Sequence, residues 1–115
     1  MKSKIVFHDG MMDMPVKTGY VVRPCSELMY ITYDSPDCFL HFSDNVIKVQ
    51  TSLKYLMDNL PKEVFFLCDR PVVINMRYFN MYNRIERLIT MNDGAKFALS
   101  RRRVRTFNSI RNNRP

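Results

Sequence analysis

The feature that most restricts the fold of this chain is the shortness of its apolar segments. The longest uninterrupted apolar run, Val64 to Cys68, has only five residues. Short runs rich in β-branched and aromatic residues, separated by turn-forming residues, predict β-strands. The same shortness excludes a transmembrane helix, which needs about 20 consecutive apolar residues. The sequence therefore predicts a domain of many short strands.

Turn-forming residues divide the chain between the predicted strands. The run 34–37 predicts a turn, and Ser43 to Asn45 separates the two arms of a hairpin. The triplet 92–94 predicts another hairpin, because its Asp-Gly pair accepts positive φ angles. The predicted strands cover residues 20–23, 28–33, 39–42, 46–49, 64–67, 72–75, 78–81, 87–91 and 96–99.

Two segments have the apolar spacing of helices. Apolar residues at i, i+3, i+4 and i+7 predict a short central helix over residues 52–60, with Thr51 or Ser52 as its N-cap. A narrower apolar stripe predicts a C-terminal helix over residues 100–112, with Ser100 as its N-cap. Together these elements predict a β-dominated α+β domain with one short central helix and one C-terminal helix.

The net charge of +7 is concentrated in the second half of the chain. Residues 1–60 carry six basic and seven acidic side chains, whereas residues 61–115 carry twelve basic and four acidic ones, so the two parts have net charges of −1 and +8. This asymmetry indicates a polyanionic partner, and a merely solvated basic face is the alternative. The last 21 residues contain no acid and hold Lys96, Arg101, Arg102, Arg103, Arg105, Arg111 and Arg114.

Three consecutive arginines, residues 101–103, follow Ser100 at the predicted start of the C-terminal helix. Cations are unfavourable there, because the N-terminal end of a helix carries about +0.5 charge. A bound anion would remove this conflict, since the first-turn amides, the Ser100 hydroxyl and the guanidinium groups all donate hydrogen bonds to phosphate. We therefore predict a phosphate-binding site at this helix start.

Arg70 is a second candidate, in the polar break 69–71 between two apolar strands. Its guanidinium group has the geometry to bind the O6 and N7 acceptors of guanine, or a phosphate. The alternative is an ordinary surface arginine paired with Asp69.

Catalytic, metal-binding and cofactor-binding patterns are not recognisable in the sequence. Cys25, Cys38 and Cys68 lack the CxxC spacing of a zinc or redox site, and the glycines are too scattered for a phosphate-binding loop. His41, within a predicted strand, is interpreted as solvent-facing or hydrogen-bonded. We expect no enzyme, no metal, no cofactor and no small-molecule substrate. The N-terminus lacks the apolar run of a secretory signal, which favours a cytoplasmic protein without membrane contact.

Several segments together resemble the LytTR DNA-binding domain, the output module of LytR/AlgR-type response regulators in two-component systems. The resemblance extends over residues 20–111 and rests on the order and spacing of the segments. They are Glu27-Leu28-Met29-Tyr30-Ile31, Ser52-Leu53-Lys54-Tyr55-Leu56, Leu60-Pro61, Phe65 to Asn75, Asn92-Asp93-Gly94 and Leu99-Ser100-Arg101-Arg102.

The resemblance implies an elongated, antiparallel β fold that inserts loops, rather than a recognition helix, into successive major grooves. It implies a transcriptional regulator that binds direct repeats in double-stranded DNA, usually as two copies. The family's DNA contacts correspond to the loop 35–38, the turn 69–70 and the helix start 100–102, while Asn75 is expected to bond backbone in a turn. The complete predicted interface is Asp37, Cys38, Asp69, Arg70, Lys96, Ser100, Arg101, Arg102, Arg103 and Arg105.

Departures from the family pattern leave a second function open. Asp69 and Pro71 flank Arg70 where the family has other residues, and Asp37 and Cys38 supply no clear hydrogen-bond donor. The alternative is a LytTR-like module that binds a protein partner and has weakened or lost DNA readout. RNA binding, a third possibility, would need exposed aromatic residues for base stacking.

The resemblance also sets the expected organisation of the chain. We expect an N-terminal extension over residues 1–19, a DNA-binding domain over residues 20–112 and a tail over residues 113–115. Since the family's usual receiver domain does not precede the DNA-binding domain, the chain is expected to be either a stand-alone regulator or an excised output domain.

Overall fold

The computed structural model describes residues 4–69 and 71–113. It begins with a three-stranded antiparallel sheet in the order β1 (Val6–His8), β2 (Met11–Val16) and β3 (Gly19–Pro24). The turn between β1 and β2 consists of Asp9 and Gly10, whose positive φ angles of 51° and 75° are typical of a type I′ hairpin. Only β3 overlaps a predicted strand. The first 19 residues thus contribute two strands that the sequence analysis does not anticipate.

Strand β2 alternates between buried and partly exposed residues. Met12 and Met14 are fully buried, whereas Met11 and Asp13 are partly exposed. This alternation is the period of a half-buried strand. It is difficult to recognise from sequence, because Asp13 and Pro15 are unfavourable in strands and methionine is not a typical strand residue.

A five-stranded antiparallel sheet, here called the central sheet, has the strand order β6-β5-β4-β8-β7. Its strands are β4 (Tyr30–Asp34), β5 (Asp37–His41), β6 (Val46–Val49), β7 (Phe65–Asp69) and β8 (Val72–Asn75). All five overlap predicted strands, and the predicted β5–β6 hairpin is confirmed by the pairing of these strands. Asp34 pairs directly with Asp37, so the β4–β5 turn consists of Ser35 and Pro36 alone. Asp37 and Cys38, which the sequence analysis places in a loop, therefore belong to β5.

Helix α1 (Leu53–Asn59) connects β6 to β7 and confirms the predicted central helix. The Ser52 hydroxyl accepts a hydrogen bond from the Tyr55 N–H at 3.1 Å, which makes Ser52 the N-cap. Leu56 is fully buried in the core beside the central sheet. The helix ends before Pro61, which has no N–H to continue the hydrogen-bond pattern.

A second three-stranded sheet, in the order β11-β10-β9, precedes the C-terminal helix. Its strands and the helix are β9 (Phe79–Asn83), β10 (Leu88–Met91), β11 (Lys96–Ala98) and α2 (Val104–Asn113). The predicted hairpin between β10 and β11 is confirmed, with Gly94 at a φ of 92°. Helix α2 begins later than predicted, because Arg101–Arg103 form a 3-10 turn in which the Arg103 N–H bonds the Ser100 carbonyl.

The hydrophobic core forms two clusters on opposite faces of the central sheet. Neighbouring residues of a strand point to opposite faces. Ile31 therefore packs with the N-terminal sheet and α1, on what we call the N-terminal face, whereas Tyr30 packs with the second three-stranded sheet and α2, on the C-terminal face. Phe107 anchors α2, since its ring centroid lies 5.6 Å from that of Phe66 and 5.5 Å from that of Phe79.

The molecule measures 44 × 29 × 25 Å along its principal axes. Its radius of gyration is 14.0 Å, compared with about 13 Å for a compact domain of this length. Two further 3-10 turns, Cys25–Glu27 and Met76–Tyr78, lie before β4 and β9. The prediction of an elongated, β-dominated α+β fold with two helices is confirmed.

Candidate nucleic-acid interface

Two of the predicted contact regions lie at the same end of the central sheet. The β4–β5 turn follows Asp34, and the β7–β8 connection follows Asp69. Strands β4 and β8 are neighbours, and the Tyr33 N–H donates to the Pro71 carbonyl at 3.1 Å. We call this edge of the sheet the turn end. Arg70, predicted in the β7–β8 connection, lies outside the described residues.

The third predicted region, the start of the C-terminal helix, is attached to the same end. The Ser100 N–H donates to the Cys68 carbonyl at 3.1 Å, and the Arg103 Nε donates to the Leu67 carbonyl at 2.8 Å. The Arg103 guanidinium carbon also lies 5.0 Å from the centre of the Phe66 ring, within cation–π distance. Arg103 therefore holds the 3-10 turn against the end of β7.

The other arginines of this segment point to solvent. Arg101, Arg102 and Arg105 are exposed, and no carboxylate in the described parts of the chain forms an ion pair with them. The amides of Arg101 and Arg102 also precede the first hydrogen-bonded amide of the 3-10 turn, that of Arg103. The segment thus presents two first-turn amides and three cations that form no ion pair within residues 4–69 and 71–113, a combination that binds phosphate groups.

Comparisons with known proteins identify this architecture. The family model of the LytTr DNA-binding domain matches residues 18–112. The chain belongs to the LytTR DNA-binding domain family. Among solved structures, a LytTr DNA-binding domain from Bacillus cereus has the same fold, with a TM-score of 0.77 and 19% sequence identity over 90% of this chain and 97% of that chain. A search of curated protein sequences gives no match.

Ser100 of this LytTR domain occupies the N-cap position without acting as a side-chain cap. Its hydroxyl oxygen is buried and has no hydrogen-bond partner among the described residues. The predicted cap is therefore incorrect, because the tight 3-10 turn satisfies the Arg103 amide with the Ser100 carbonyl instead. An unpaired buried hydroxyl is destabilising, typically by about 1–3 kcal/mol.

Cys38 and Lys96 do not lie at the turn end as exposed groups. Cys38 is fully buried, and its thiol donates a hydrogen bond to the Thr51 carbonyl at 3.3 Å. Burial raises the pKa of Cys38 to about 11, so the side chain remains a neutral thiol. Lys96 is exposed on β11 but is paired with Thr90, toward the Asp93 hairpin at the other end of the sheet. Cys38 is therefore removed from the candidate interface, and Lys96 is peripheral to it.

The two acidic residues of the predicted interface lie at the turn end. Asp37 is partly exposed at the start of β5, opposite the exposed Asp34. Asp69 is exposed at the last position of β7. These carboxylates repel phosphate, so the turn end combines an acidic centre with the basic 3-10 turn beside it.

Two residues interpreted as structural are confirmed in that role. Asn75 is fully buried, donates from its amide nitrogen to the Leu28 carbonyl at 2.9 Å and accepts the Arg77 N–H at 2.9 Å. His41 is hydrogen-bonded, with 2.9 Å between its Nε2 and the Thr32 hydroxyl oxygen. Burial lowers the pKa of His41, which favours the neutral imidazole.

The other two thiols are also buried and remain protonated. Cys25 and Cys68 are buried, and burial raises the pKa of both thiols, that of Cys68 to about 12. Within residues 4–69 and 71–113, no three His, Cys, Asp or Glu side chains come together in a way that could hold a metal ion. No helix in those ranges is long and apolar enough to cross a membrane.

Sequence reasoning misses one cation near the turn end, Lys4. Its position depends on a contact between residues 50 positions apart, in which the Tyr55 hydroxyl donates to the Ile5 carbonyl at 2.6 Å. No local pattern around Lys4 signals this contact.

Proposed function

We propose that this LytTR domain is a sequence-specific, double-stranded DNA-binding transcriptional regulator. The proposal rests mainly on one observation: a basic turn whose exposed arginines have no ion-pair partner among the described residues is attached to the end of the central sheet. Hydrogen bonds from Ser100 and Arg103 hold that turn beside the β7–β8 connection, while Arg101, Arg102 and Arg105 remain exposed. A fixed group of cations beside projecting turns suits a regular, highly charged polyanion such as duplex DNA.

The dimensions of the turn end fit a major groove. The inner strands of the two turns, β4 and β8, are direct neighbours and hence about 5 Å apart. The major groove of B-DNA is about 12 Å wide, so both turns can together enter one of the successive major grooves that the family resemblance implies. In this arrangement the turns read base edges, and the sequence places Arg70 in the β7–β8 connection, where its guanidinium group would bind guanine.

Each basic residue has a distinct role in this proposal. Arg101 and Arg102 contact phosphates or base edges beside the turns, and Arg105 contacts more distant phosphates. Lys96, toward the other end of the sheet, adds only long-range attraction. Arg103 acts as a positioning residue, since its Nε is already bonded to the Leu67 carbonyl. The sites are direct repeats bound by two copies of the chain, and the protein acts in the cytoplasm as part of a two-component system.

Selection from random duplex DNA tests the proposal. We expect enrichment of a direct repeat, and binding to the selected duplex should weaken as salt rises. If about five phosphates are neutralised, log K should fall with log salt with a slope of about −4 to −5. A fluorescence anisotropy titration that shows no salt-dependent binding at micromolar protein would reject DNA binding. If RNA of mixed sequence binds more tightly than duplex DNA in the same titration, the partner is RNA instead.

The acidic residues at the turn end favour one alternative, a LytTR-like module that binds a protein partner. Asp34, Asp37 and Asp69 place three carboxylates where DNA would approach. On this alternative, Arg101→Gln leaves partner binding intact, and duplex DNA binds weakly and without sequence preference. The same anisotropy titration with selected and scrambled duplexes separates the two functions.

A further inference from the structure

Lys4 is fixed beside the turn end by the residue that follows it. Ile5 is fully buried in the cluster on the N-terminal face, and its carbonyl accepts the Tyr55 hydroxyl at 2.6 Å. The Lys4 ammonium nitrogen lies 5.4 Å from the centre of the Tyr55 ring, within cation–π distance. The backbone of an otherwise exposed lysine is therefore held in a defined place.

A depression on the surface connects Lys4 to the β4–β5 turn. It has a volume of about 370 Å³, and its lining includes Lys4, Tyr33, Pro36, Gln50 and Thr51. Pro36 belongs to the turn itself, and Tyr33 is bonded through its N–H to the Pro71 carbonyl of the β7–β8 connection. Lys4 thus shares the lining of one depression with the β4–β5 turn, which belongs to the turn end.

Lys4 and the basic 3-10 turn lie on opposite faces of the central sheet. Ile5 and Tyr55 pack in the cluster of the N-terminal face, whereas Phe66, which Arg103 covers, belongs to the cluster of the C-terminal face. The projecting turns are consequently flanked by positive charge on both sides. The family model starts at residue 18, so Lys4 lies outside the segment that it matches.

We propose that the N-terminal segment supplies an additional DNA-backbone contact, in which the Lys4 ammonium group binds a phosphate across the major groove from Arg101 and Arg102. This inference rests on the proposed function. A protein segment inside the groove has a phosphate backbone on each side, and the 3-10 turn serves only one of them. Lys4 lies on the N-terminal face, where it would serve the other backbone.

The test compares two variants that lose the same charge at opposite ends of the sheet. Lys4→Gln removes the proposed contact. Lys62→Gln is the matched control, because Lys62 is exposed and precedes β7 at the end opposite the turns. Fluorescence anisotropy is measured for the full chain with a 30-base-pair mixed-sequence duplex, and with the duplex obtained by selection, across a series of NaCl concentrations.

We expect Lys4→Gln to weaken binding about fivefold at physiological salt and to reduce the salt slope by about 0.9. The loss should be equal for both duplexes, since a phosphate contact carries no sequence information. Lys62→Gln should retain the affinity and slope of the wild type. If Lys4→Gln matches Lys62→Gln while Arg101→Gln weakens binding, this inference is wrong and the proposed function stands. If the wild type itself shows no salt-dependent binding, both are wrong.

Discussion

Arg23 uses its hydrogen-bond donors inside the protein, whereas the arginines of the 3-10 turn present theirs to solvent. The Arg23 guanidinium group donates to Glu27 at 3.0 Å, to Asp44 at 2.7 Å and to Asn45 at 3.0 Å. It also lies 4.3 Å from the centre of the Phe42 ring. One side chain thus connects four groups from two segments, the 3-10 turn Cys25–Glu27 and the β5–β6 connection, and joins both to β3.

At the turn end the same residue type has the opposite environment. Arg101 and Arg102 are adjacent and exposed, and no carboxylate in the part of the chain that the structure describes forms an ion pair with either. Adjacent guanidinium groups repel each other, so this arrangement does not stabilise the fold. The difference separates arginines that hold the structure from arginines available to a partner, and it can be tested by removing each kind.

The largest effect is expected when the two exposed arginines are removed together. Arg101→Gln with Arg102→Gln should weaken binding to the selected duplex by about 2–4 kcal/mol, because two charged contacts are lost. The free energy of unfolding should change by less than about 0.5 kcal/mol, since neither side chain is packed. Anisotropy titration and urea unfolding measure the two quantities.

The control for this double variant is Lys62→Gln with Arg77→Gln. Both residues are exposed, Lys62 before β7 and Arg77 after β8, at the end opposite the turns. An equal loss of affinity in the control would mean that only net charge matters. A retained affinity in the double arginine variant would contradict the assignment of the interface.

Arg103 has features of both kinds of arginine, since it belongs to the basic 3-10 turn but its guanidinium group is bonded inside the protein. Arg103→Lys keeps the charge but loses the Nε bond to the Leu67 carbonyl and the planar contact with the Phe66 ring. We expect unfolding to become easier by about 1 kcal/mol and DNA affinity to fall about tenfold, because the 3-10 turn is no longer held in place. A variant that loses neither stability nor affinity would show that Arg103 does not position the turn.

The Arg103 contacts are an example of structure that cannot be predicted from the sequence, because they join residues far apart in the chain. The hairpins and a cap at Thr51 or Ser52 follow from local residue chemistry, and the structure contains the hairpins and the Ser52 cap. The backbone-bonding role of Asn75 follows from the family resemblance, and its amide donates to the Leu28 carbonyl. The 3-10 turn and the attachment of Arg103 to β7 depend on residues 36 positions apart. Strand β2 cannot be predicted from its sequence, because methionine and Pro15 are not typical strand residues. The burial of Cys38 depends on a two-residue turn that the family resemblance does not specify.

Removing the bonded arginine should give the reverse result of removing the exposed ones. Arg23→Gln loses two charged partners and the contact with the Phe42 ring. We expect the free energy of unfolding to fall by about 1 kcal/mol, a modest value because Glu27 and Asp44 are largely exposed. DNA affinity should remain within twofold of the wild type. A stable protein with lost DNA binding would place Arg23 in the interface instead.

The smallest effect concerns the pH dependence of the Arg23 ion pairs. The hydrogen bond from Arg23 lowers the pKa of Asp44 below its ordinary value of 3.8. A carboxylate with a lowered pKa in the folded state stabilises the protein above that ordinary value, and the stabilisation is lost as the pH falls through the lowered pKa. The free energy of unfolding in urea is measured from about pH 5 to about pH 2. It should fall more steeply over this range for the wild type than for Arg23→Gln. Identical slopes would mean that the carboxylate gains nothing from the guanidinium group, and the contrast between the two kinds of arginine would then rest on the Phe42 contact and the hydrogen bond to Asn45.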